Sequence, residues 1–352
     1  MKYLVYFIVP LLISALTIPF VKKIGIRCKI YAVENKRTVH SGLIARCGGI
    51  SIYLAFVIGM SLFMQADKQI NALMIGSAIV FFSGLIDDMV DLPPKIKFLF
   101  QALAAFLLIF YGQVQLNVFR LPFHIVIRSE LLIGIISFFW ITGITNSINL
   151  IDGLDGLAGG VCVIALLTIA SLAYIDKHYD VMTIALVLAG ATSGFLLFNF
   201  HPASIFMGDS GALFLGFVIA GISLLGFKSS TFITLGVPIL VLGVPIMDTL
   251  SSIVRRTVQR KSFSEADRSH LHHVLMYKLE FGHRNSVLII YFFTFLLSLN
   301  AYVYILNKAL GLGMLFVLGL GVELFLEITG MISNRYRPLL SIWQYLKKRL
   351  HQ

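Results

Sequence analysis

Aspartates gather at the ends of the apolar segments of this sequence, where carboxylates could hold a divalent cation or move a proton. The chain has 17 Asp and Glu residues among its 352. Seven aspartates lie at or beside such ends: Asp87, Asp88, Asp91, Asp152, Asp155, Asp209 and Asp248. An Asp at the centre of a membrane helix costs about 2.5–3.5 kcal/mol, and like charges at the ends still repel one another. The cluster therefore indicates a bound cation or a chemical function.

The first group of carboxylates, Asp87, Asp88 and Asp91, closes a predicted helix. Asp87 and Asp91 are one helical turn apart and share a face. Pro93 and Pro94 then end the helix. The carboxylates thus lie at a helix C-terminus, where the helix dipole disfavours anions by about 0.3–1 kcal/mol each. This placement favours metal–phosphate chemistry or proton abstraction over a solvated helix end.

The second group has polar residues at every third position: Asn146, Asn149, Asp152 and Asp155. Adjacent members are neighbours on a helix, and the glycines that follow Asp152 and Asp155 allow the chain to turn. Carboxylate and amide oxygens, together with water, suit Mg²⁺. An Asn/Asp/Gly-rich turn between two apolar segments is the plain structural alternative.

A third string places Asp209 after Gly208 and shortly before Gly211, with Phe206 just upstream. Glycines on both sides of a carboxylate let the backbone approach a ligand closely. The same string also makes an ordinary turn, so its meaning depends on the other groups.

A fourth feature is the basic segment 255–285, which carries His270, His272 and His273. Three histidines in four residues could form a zinc site, but no cysteine lies near them and the segment is strongly basic. Cationic hydrogen-bond donors for a diphosphate fit this setting better. An earlier basic loop adds Arg46.

These groups need elements that bring distant parts of the chain together, and long apolar runs supply them. With 58% hydrophobic and 13% charged residues, the chain is far more apolar than a soluble domain, which is about 25% charged. Eleven runs approach the length of about 20 residues that crosses a bilayer. They are 3–21, 47–65, 70–86, 96–112, 131–147, 157–175, 181–198, 211–227, 232–254, 286–305 and 309–331. The sequence predicts an all-α polytopic membrane protein with about eleven transmembrane helices in a single domain, 1–352, with the weakest boundaries at 131–147 and 232–254.

The distribution of basic residues predicts the orientation of these helices. One set of alternate loops, together with the C-terminal tail, holds 21 of the 28 Lys and Arg residues, and the other set holds 7. Since cytoplasmic loops carry the basic excess, the N-terminus is predicted outside and the C-terminus in the cytoplasm. The net charge of +11 then belongs to membrane topology, and no nucleic-acid partner is needed. Three scattered cysteines argue against a disulfide framework.

With these groups assembled, the sequence resembles the polyprenyl-phosphate N-acetylhexosamine-1-phosphate transferases of glycosyltransferase family 4, above all their TagO/WecA-like branch. Four strings carry the resemblance in the family's order: 87–91, 146–157, 208–209 and 270–273. Matching segments run from Arg37 to His273. The predicted arrangement of eleven transmembrane helices resembles the family's over nearly the whole chain. The related pentapeptide transferases carry three consecutive histidines followed by Phe and Glu. Leu271 interrupts the run here, which favours an aminosugar donor.

The resemblance implies an Mg²⁺-dependent phosphoglycosyl transferase, with Mn²⁺ as an alternative ion. A UDP-N-acetylhexosamine, UDP-GlcNAc above all, would give its sugar-1-phosphate to undecaprenyl phosphate, and UMP would leave. The reaction would begin an envelope glycan of the teichoic acid or O-antigen type. The site would lie on the cytoplasmic face of a bacterial cytoplasmic membrane, and the resemblance leaves a homodimer open.

The resemblance also implies roles for individual residues. Asn149 and Asp209 would ligate Mg²⁺. Asp87 and Asp88 would form the acidic pair near the acceptor phosphate, either as a base or as groups that order the site. Residues implied in binding the nucleotide, sugar and diphosphate are Arg46, Lys97, Asp152, Asp155, Phe206, His270, His272 and His273.

Two other functions fit parts of the pattern. A membrane prenyltransferase also uses Mg²⁺ and an Asp-rich helix, but it has no need of the histidine segment. An ion-coupled transporter would use intramembrane carboxylates, but it would place them near the bilayer midplane rather than at one face.

Overall fold

The protein folds as a bundle of helices in a computed structural model that describes residues 2–32, 43–116, 119–120, 126–226, 233–259, 270–330 and 337–343. The first helices are α1 (Lys2–Arg27), α2 (Gly49–Phe63), α3 (Lys68–Val90), α4 (Pro94–Phe106), α5 (Glu130–Ile151), α6 (Leu157–Ile175) and α7 (Tyr179–Asn199). They are followed by α8 (Gly208–Gly226), α9 (Ile233–Val241), α10 (Gly243–Gln259), α11 (Leu271–His273), α12 (Gly282–Leu306) and α13 (Lys308–Thr329). Two π-helical turns, Leu107–Tyr111 and Val274–Lys278, continue α4 and α11.

Nine helices in the described part of the chain are long and apolar enough to cross a membrane. The predicted all-α membrane fold is thereby confirmed, and two predicted runs differ from single long helices. α2 has 15 residues, which at 1.5 Å per residue is about 22 Å, against about 30 Å for a hydrocarbon core. The run 232–254 divides into α9 and α10 around Leu242, where Pro238 and Pro245 each remove a backbone donor from the helix.

α8 forms the centre of the bundle. Of its 19 residues, 17 are buried, and it packs against both α3 and α5. Small residues permit the close approach: a Cβ added to Gly84 of α3 would lie 2.6 Å from Ser210 Cα, and one on Gly216 would lie 2.7 Å from Thr145 Cα of α5. Because such contacts tolerate little displacement, they fix α8 firmly against its two neighbours.

Among the described residues there are four two-residue strands in the loops, which the sequence did not predict. They are β1 (Tyr31–Ala32), β2 (Ile44–Ala45), β3 (Phe119–Arg120) and β4 (Val126–Ile127). β1 pairs antiparallel with β2, and β3 pairs antiparallel with β4. Ala45 also forms a parallel bridge with Ile205, and the Phe206 N–H donates to the Ala45 carbonyl at 2.8 Å. Strands this short show no alternating pattern. The Ala45–Ile205 bridge brings the loop before α2 against the loop before α8.

Parts of two predicted site segments lie outside the described residues. One part includes Arg37 of the first basic loop, and the other is 260–269 of the segment 255–285. The described part of that segment forms the end of α10, α11 with its π-helical turn, and the start of α12.

Candidate active site

Asp88, near the C-terminal end of α3, caps the N-terminus of α8. Its Oδ1 accepts the Asp209 N–H at 2.8 Å, and its Oδ2 accepts the Ser210 N–H at 3.0 Å. A helix leaves such donors unpaired at its start, and its dipole also favours a carboxylate there. Gly208 permits the contact, because its φ of +74° suits glycine and an added Cβ would lie 2.5 Å from Asp88 Oδ2. The cap joins the end of α3 to the start of α8.

Lys97, near the start of α4, lies between two further carboxylates. Its Nζ is 2.7 Å from Asp87 Oδ2 and 2.9 Å from Asp209 Oδ2. Asp87 Oδ1 also accepts the Leu92 N–H at 2.6 Å. The positive ammonium group offsets the repulsion that two neighbouring carboxylates would otherwise have. The structure therefore brings the predicted residues Asp87, Asp88, Lys97 and Asp209 into one cluster.

The Arg46 guanidinium adds a second positive charge to the cluster. Its Nη2 lies 3.8 Å from Asp88 Oδ1 and 3.9 Å from Asp209 Oδ1. These distances are long for ion pairs and the Arg46 side chain is 38% exposed, so each pair adds little stability. The guanidinium can therefore bind an anionic ligand at small cost to the fold.

A cavity of about 280 Å³ opens beside this cluster. Seven of the predicted site residues line it: Arg46, Asn149, Asp152, Asp155, Phe206, Asp209 and His273. They come from the loop before α2, the C-terminal end of α5 with the turn after it, the start of α8 with the loop before it, and α11. Segments far apart in the sequence thus converge on one cavity that carries carboxylates, an amide, a guanidinium and an imidazole.

Asn149 and Asp209 provide oxygen atoms that suit a divalent cation. The Asn149 side chain lies within hydrogen-bonding reach of the Asp209 carboxylate. Asp152 and Asp155 lie on the same cavity wall. Carboxylate and amide oxygens are the ligands that Mg²⁺ prefers, so this donor set fits that ion.

Asp152 lies just beyond α5 in surroundings that disfavour its charged form. Burial, followed by the charges of Asp209 and Asp88, raises the pKa of Asp152 to about 7. The Arg46 charge acts in the opposite direction. A divalent cation in the cavity would favour the ionised carboxylate and so lower this pKa.

Asp155 belongs to a hydrogen-bonded group that fixes the turn between α5 and α6. Its Oδ2 accepts hydrogen bonds from His201 Nδ1 at 2.9 Å and from the Ala203 N–H at 3.1 Å. His283 Nε2 accepts the Asp155 N–H at 3.0 Å, and the two imidazoles stack with centroids 4.2 Å apart. The carboxylate and both imidazoles are close enough to share a metal ion. However, the Asp155 oxygen and the His283 lone pair already accept hydrogen bonds, so the group is better described as a network that shapes the cavity.

His272 and His273 occupy different surroundings. His273 lines the cavity, and its ring stacks on that of Tyr277 with centroids 5.8 Å apart. His272 is buried, and burial followed by the neighbouring His273 lowers the pKa of His272 to about 3. A Cβ added to Gly153 would overlap the His272 ring. Burial thus favours the neutral imidazole at His272, and its predicted role as a cationic donor stays a prediction.

Some residues around the cavity were not singled out by the sequence. Asn199, Tyr277 and His283 are part of the cavity wall. The third predicted histidine, His270, is buried outside the described cavity wall, with its Nδ1 2.8 Å from the Asp248 carboxylate. Lone polar residues beside apolar runs have no characteristic spacing, and Asp248 stands out in the sequence only as one of seven aspartates.

Comparison with known proteins gives consistent matches. The sequence model of glycosyl transferase family 4 matches residues 70–227. A probable undecaprenyl-phosphate N-acetylglucosaminyl 1-phosphate transferase of Bacillus subtilis (strain 168) is 39% identical, over 99% of this chain and 98% of its own. A decaprenyl-phosphate N-acetylglucosaminephosphotransferase of Mycobacterium tuberculosis (strain CDC 1551 / Oshkosh) is 32% identical, over 80% of this chain and 77% of its own. A phospho-N-acetylmuramoyl-pentapeptide-transferase of Geobacillus thermodenitrificans (strain NG80-2) is 29% identical, over 71% of this chain and 80% of its own.

Substitutions of Asp88 separate its capping role from its charge. Asp88→Ala removes both acceptors and leaves two buried N–H groups unpaired, so we expect the free energy of unfolding to fall by about 1–3 kcal/mol. Asp88→Asn keeps one acceptor and removes a charge that Asp209 repels, so we expect a loss below about 1 kcal/mol. Thermal unfolding of the purified protein in detergent measures both effects.

The matched control for these variants is Asp176→Ala. Asp176 is exposed at the C-terminal end of α6, so its replacement should leave the unfolding temperature unchanged. If Asp88→Ala were as stable as this control, Asp88 could not be an important cap of α8.

Proposed function

Because the chain belongs to glycosyl transferase family 4, among the polyprenyl-phosphate N-acetylglucosamine-1-phosphate transferases, we propose that it moves this sugar phosphate from UDP-GlcNAc to undecaprenyl phosphate. The products are undecaprenyl-diphosphate-GlcNAc and UMP. The name of the Bacillus relative supports undecaprenyl phosphate as the acceptor. The interruption of the histidine run by Leu271 supports an aminosugar donor over a pentapeptide donor.

The observation that carries the proposal is the convergence of the four sequence strings around one cavity of mixed charge. Both substrates are anions, and the reaction must bring them together. Carboxylates alone would repel them, but carboxylates that hold a divalent cation beside Lys97 and Arg46 would attract them. This combination suits phosphoryl transfer, which depends mainly on positioning and on electrostatic stabilisation.

The proposed reaction exchanges one phosphoanhydride for another. An oxygen of the acceptor phosphate forms a bond to the phosphorus that carries the sugar. The bond between that phosphorus and the bridging oxygen breaks, and UMP leaves with the electron pair. Because one phosphoanhydride replaces another, the reaction needs no ATP.

Asp209 and Asn149 are the residues to which we assign a Mg²⁺ ion, since both line the cavity and their side chains lie within hydrogen-bonding reach of each other. When bound, Mg²⁺ would neutralise charge on the phosphate oxygens of the donor. Mn²⁺ shares the preference for oxygen ligands and is the expected substitute. Lys97 and Arg46 would supply further positive charge to the diphosphate.

We assign Asp87 and Asp88 to the ordering of the site rather than to proton transfer. Both oxygens of Asp88 accept N–H groups of α8, and those of Asp87 accept the Leu92 N–H and the Lys97 ammonium. A general base needs a lone pair directed at the proton that it removes. A phosphate monoester also loses its second proton with a pKa of about 6, so little deprotonation is needed at neutral pH.

The remaining predicted residues are assigned by their place around the cavity. Phe206 offers an aromatic ring to the nucleotide base, with Asp152 and Asp155 nearby on the same wall. His273 and Arg46 are assigned to the diphosphate and the sugar. His270 and His272 are buried, and they support this wall from behind.

The chain is a multi-pass membrane protein, and we place its cavity at the cytoplasmic face of a bacterial cytoplasmic membrane. The excess of Lys and Arg on one side, 21 against 7, supports this orientation. A water-soluble nucleotide sugar would then reach the cavity from the cytoplasm, while the lipid acceptor would arrive from the bilayer. The location of the carboxylates at helix ends does not favour a transporter with a site at the midplane.

Product analysis tests the proposed reaction. Purified protein with radiolabelled UDP-GlcNAc and undecaprenyl phosphate should form one labelled lipid for each UMP released. EDTA should stop the reaction, and Mg²⁺ or Mn²⁺ should restore it. Asp209→Asn should lower kcat about 100-fold or more, because it removes a charged oxygen ligand.

Two results would contradict this proposal. A different UDP-sugar used more efficiently than UDP-GlcNAc would show that the donor assignment is wrong. Release of inorganic pyrophosphate in place of UMP would instead favour a prenyltransferase.

Gly153→Ala tests whether the position of α11 matters for transfer. The added methyl group would overlap the His272 ring and displace α11 from the cavity, and we expect kcat to fall about 10- to 100-fold. Gly143→Ala is the matched control, since a Cβ at this position of α5 meets nothing within 4 Å. Steady-state kinetics of the two variants should differ, and equal activity would show that close packing of His272 on Gly153 is not required.

A further inference from the structure

Asp248 of α10 is a buried carboxylate that lies outside the described wall of the cavity, and both of its oxygens contact the start of the histidine segment. Its Oδ2 lies 2.8 Å from His270 Nδ1, and its Oδ1 accepts the Leu271 N–H at 2.7 Å. Asp248 is 3% exposed and His270 is 6% exposed. A carboxylate is costly to bury unless its oxygens are bonded, so these two contacts are what make the buried position of Asp248 tolerable.

The contact with Asp248 determines which ring nitrogen of His270 carries hydrogen. An ionised carboxylate only accepts hydrogen bonds, so Nδ1 must be the donor. In the neutral imidazole the lone pair is then on Nε2. The ring of His272 lies nearly parallel to that of His270, at an interplanar angle of 7° with centroids 6.0 Å apart.

α11 is too short to fix its own orientation. It has three residues before the π-helical turn Val274–Lys278, so few hydrogen bonds within the segment resist a rotation. Asp248 provides support from outside by accepting the Leu271 N–H at the start of α11. His273, the last residue of α11, lines the cavity. A shift of α11 along α10 would therefore move His273 relative to the bound donor.

We propose that Asp248 is a positioning residue of the transferase, which fixes the tautomer of His270 and the placement of α11 so that His273 meets the diphosphate of the donor. This inference rests on the proposed function, because it assigns His273 to that substrate. The two partners are 22 positions apart in the sequence, and the pairing follows from the packing of α10 beside α11.

A purely structural cap would need only the contact with Leu271. The same chain contains a carboxylate of that kind: Glu327 is 1% exposed, and its oxygens accept the Leu339 N–H at 2.7 Å and the Leu340 N–H at 2.8 Å. Both of these partners are backbone donors. Glu327→Gln is therefore the matched control, since it changes a buried carboxylate whose partners among the described residues are backbone donors.

Asp248→Asn tests the proposal while keeping the shape of the side chain. The Leu271 N–H can only donate a hydrogen bond, so the amide oxygen of the new side chain should face it. The amide NH₂ should then face His270 Nδ1. This ring nitrogen would have to become an acceptor, which moves its hydrogen to Nε2. We expect kcat to fall about 10- to 100-fold, with the KM for UDP-GlcNAc changed by less than about threefold. Glu327→Gln should keep the wild-type kcat.

A double-mutant cycle with His270→Gln shows whether Asp248 acts through the imidazole. In the His270→Gln background, adding Asp248→Asn should change kcat by less than about twofold, because the partner is already lost. Independent effects would multiply. The proposal would be overturned if the effects of the two substitutions on kcat multiplied, or if Asp248→Asn alone kept the wild-type kcat.

The tautomer can be measured without turnover, by ¹⁵N NMR of labelled histidine in detergent at mildly alkaline pH. The His270 signal, assigned by its loss in His270→Gln, should show the Nδ1–H form in the wild type and the Nε2–H form in Asp248→Asn. An Nε2–H form in the wild type would overturn the proposal. The Nδ1–H form in a protein that does not transfer from UDP-GlcNAc would support the pairing and reject the proposed function.

Discussion

Carboxylates crowded at the end of a buried helix must be matched by positive charge or by hydrogen-bond donors, and this requirement organises the structure around α8. Asp88 receives two N–H groups from the first turn of α8, whose dipole favours an anion. The Lys97 ammonium lies between Asp87 and Asp209. Each carboxylate thus has defined partners, and the same contacts hold α3, α4 and α8 together where the chemistry is proposed.

The apolar bundle serves this arrangement by fixing where the helices end. Glycines at the contacts of α8 let its backbone approach α3 and α5, so that their ends cannot shift independently. Polar groups then concentrate beside one cavity that is partly enclosed by protein, and opposite charges lie close together there. In such surroundings each charge has a larger effect than it would in water, which is what the transfer of a phosphate group between two anions requires.

The sequence predicts the fold class and much of the site because chemically distinctive residues recur in patterns. Apolar runs of about 20 residues are unambiguous, and most of them became single helices. Asp87 and Asp88 were recognisable as carboxylates at a helix C-terminus, where the dipole disfavours them, whereas the roles of Asn149 and Asp209 were implied by the resemblance to the family. The family that the sequence resembles is confirmed by the comparisons, while the roles of individual residues remain predictions.

Other features could not be predicted because they depend on packing between distant segments. His283 is a single histidine with no spacing signal, and its contact with Asp155 arises only when α12 meets the turn after α5. His272 and His273 are the same type of residue, yet burial lowers the pKa of His272 and favours its neutral form. The break between α9 and α10 was visible only as a weak boundary, since glycine and proline mark a possible break without fixing its geometry.

The account depends on the carboxylate cluster forming one cation site centred on Asp209. The most direct measurement is a Mn²⁺ titration of the purified protein followed by electron paramagnetic resonance. The account predicts one bound Mn²⁺ per chain, displaced by Mg²⁺ and lost in Asp209→Asn. Unchanged Mn²⁺ binding in Asp209→Asn would contradict it.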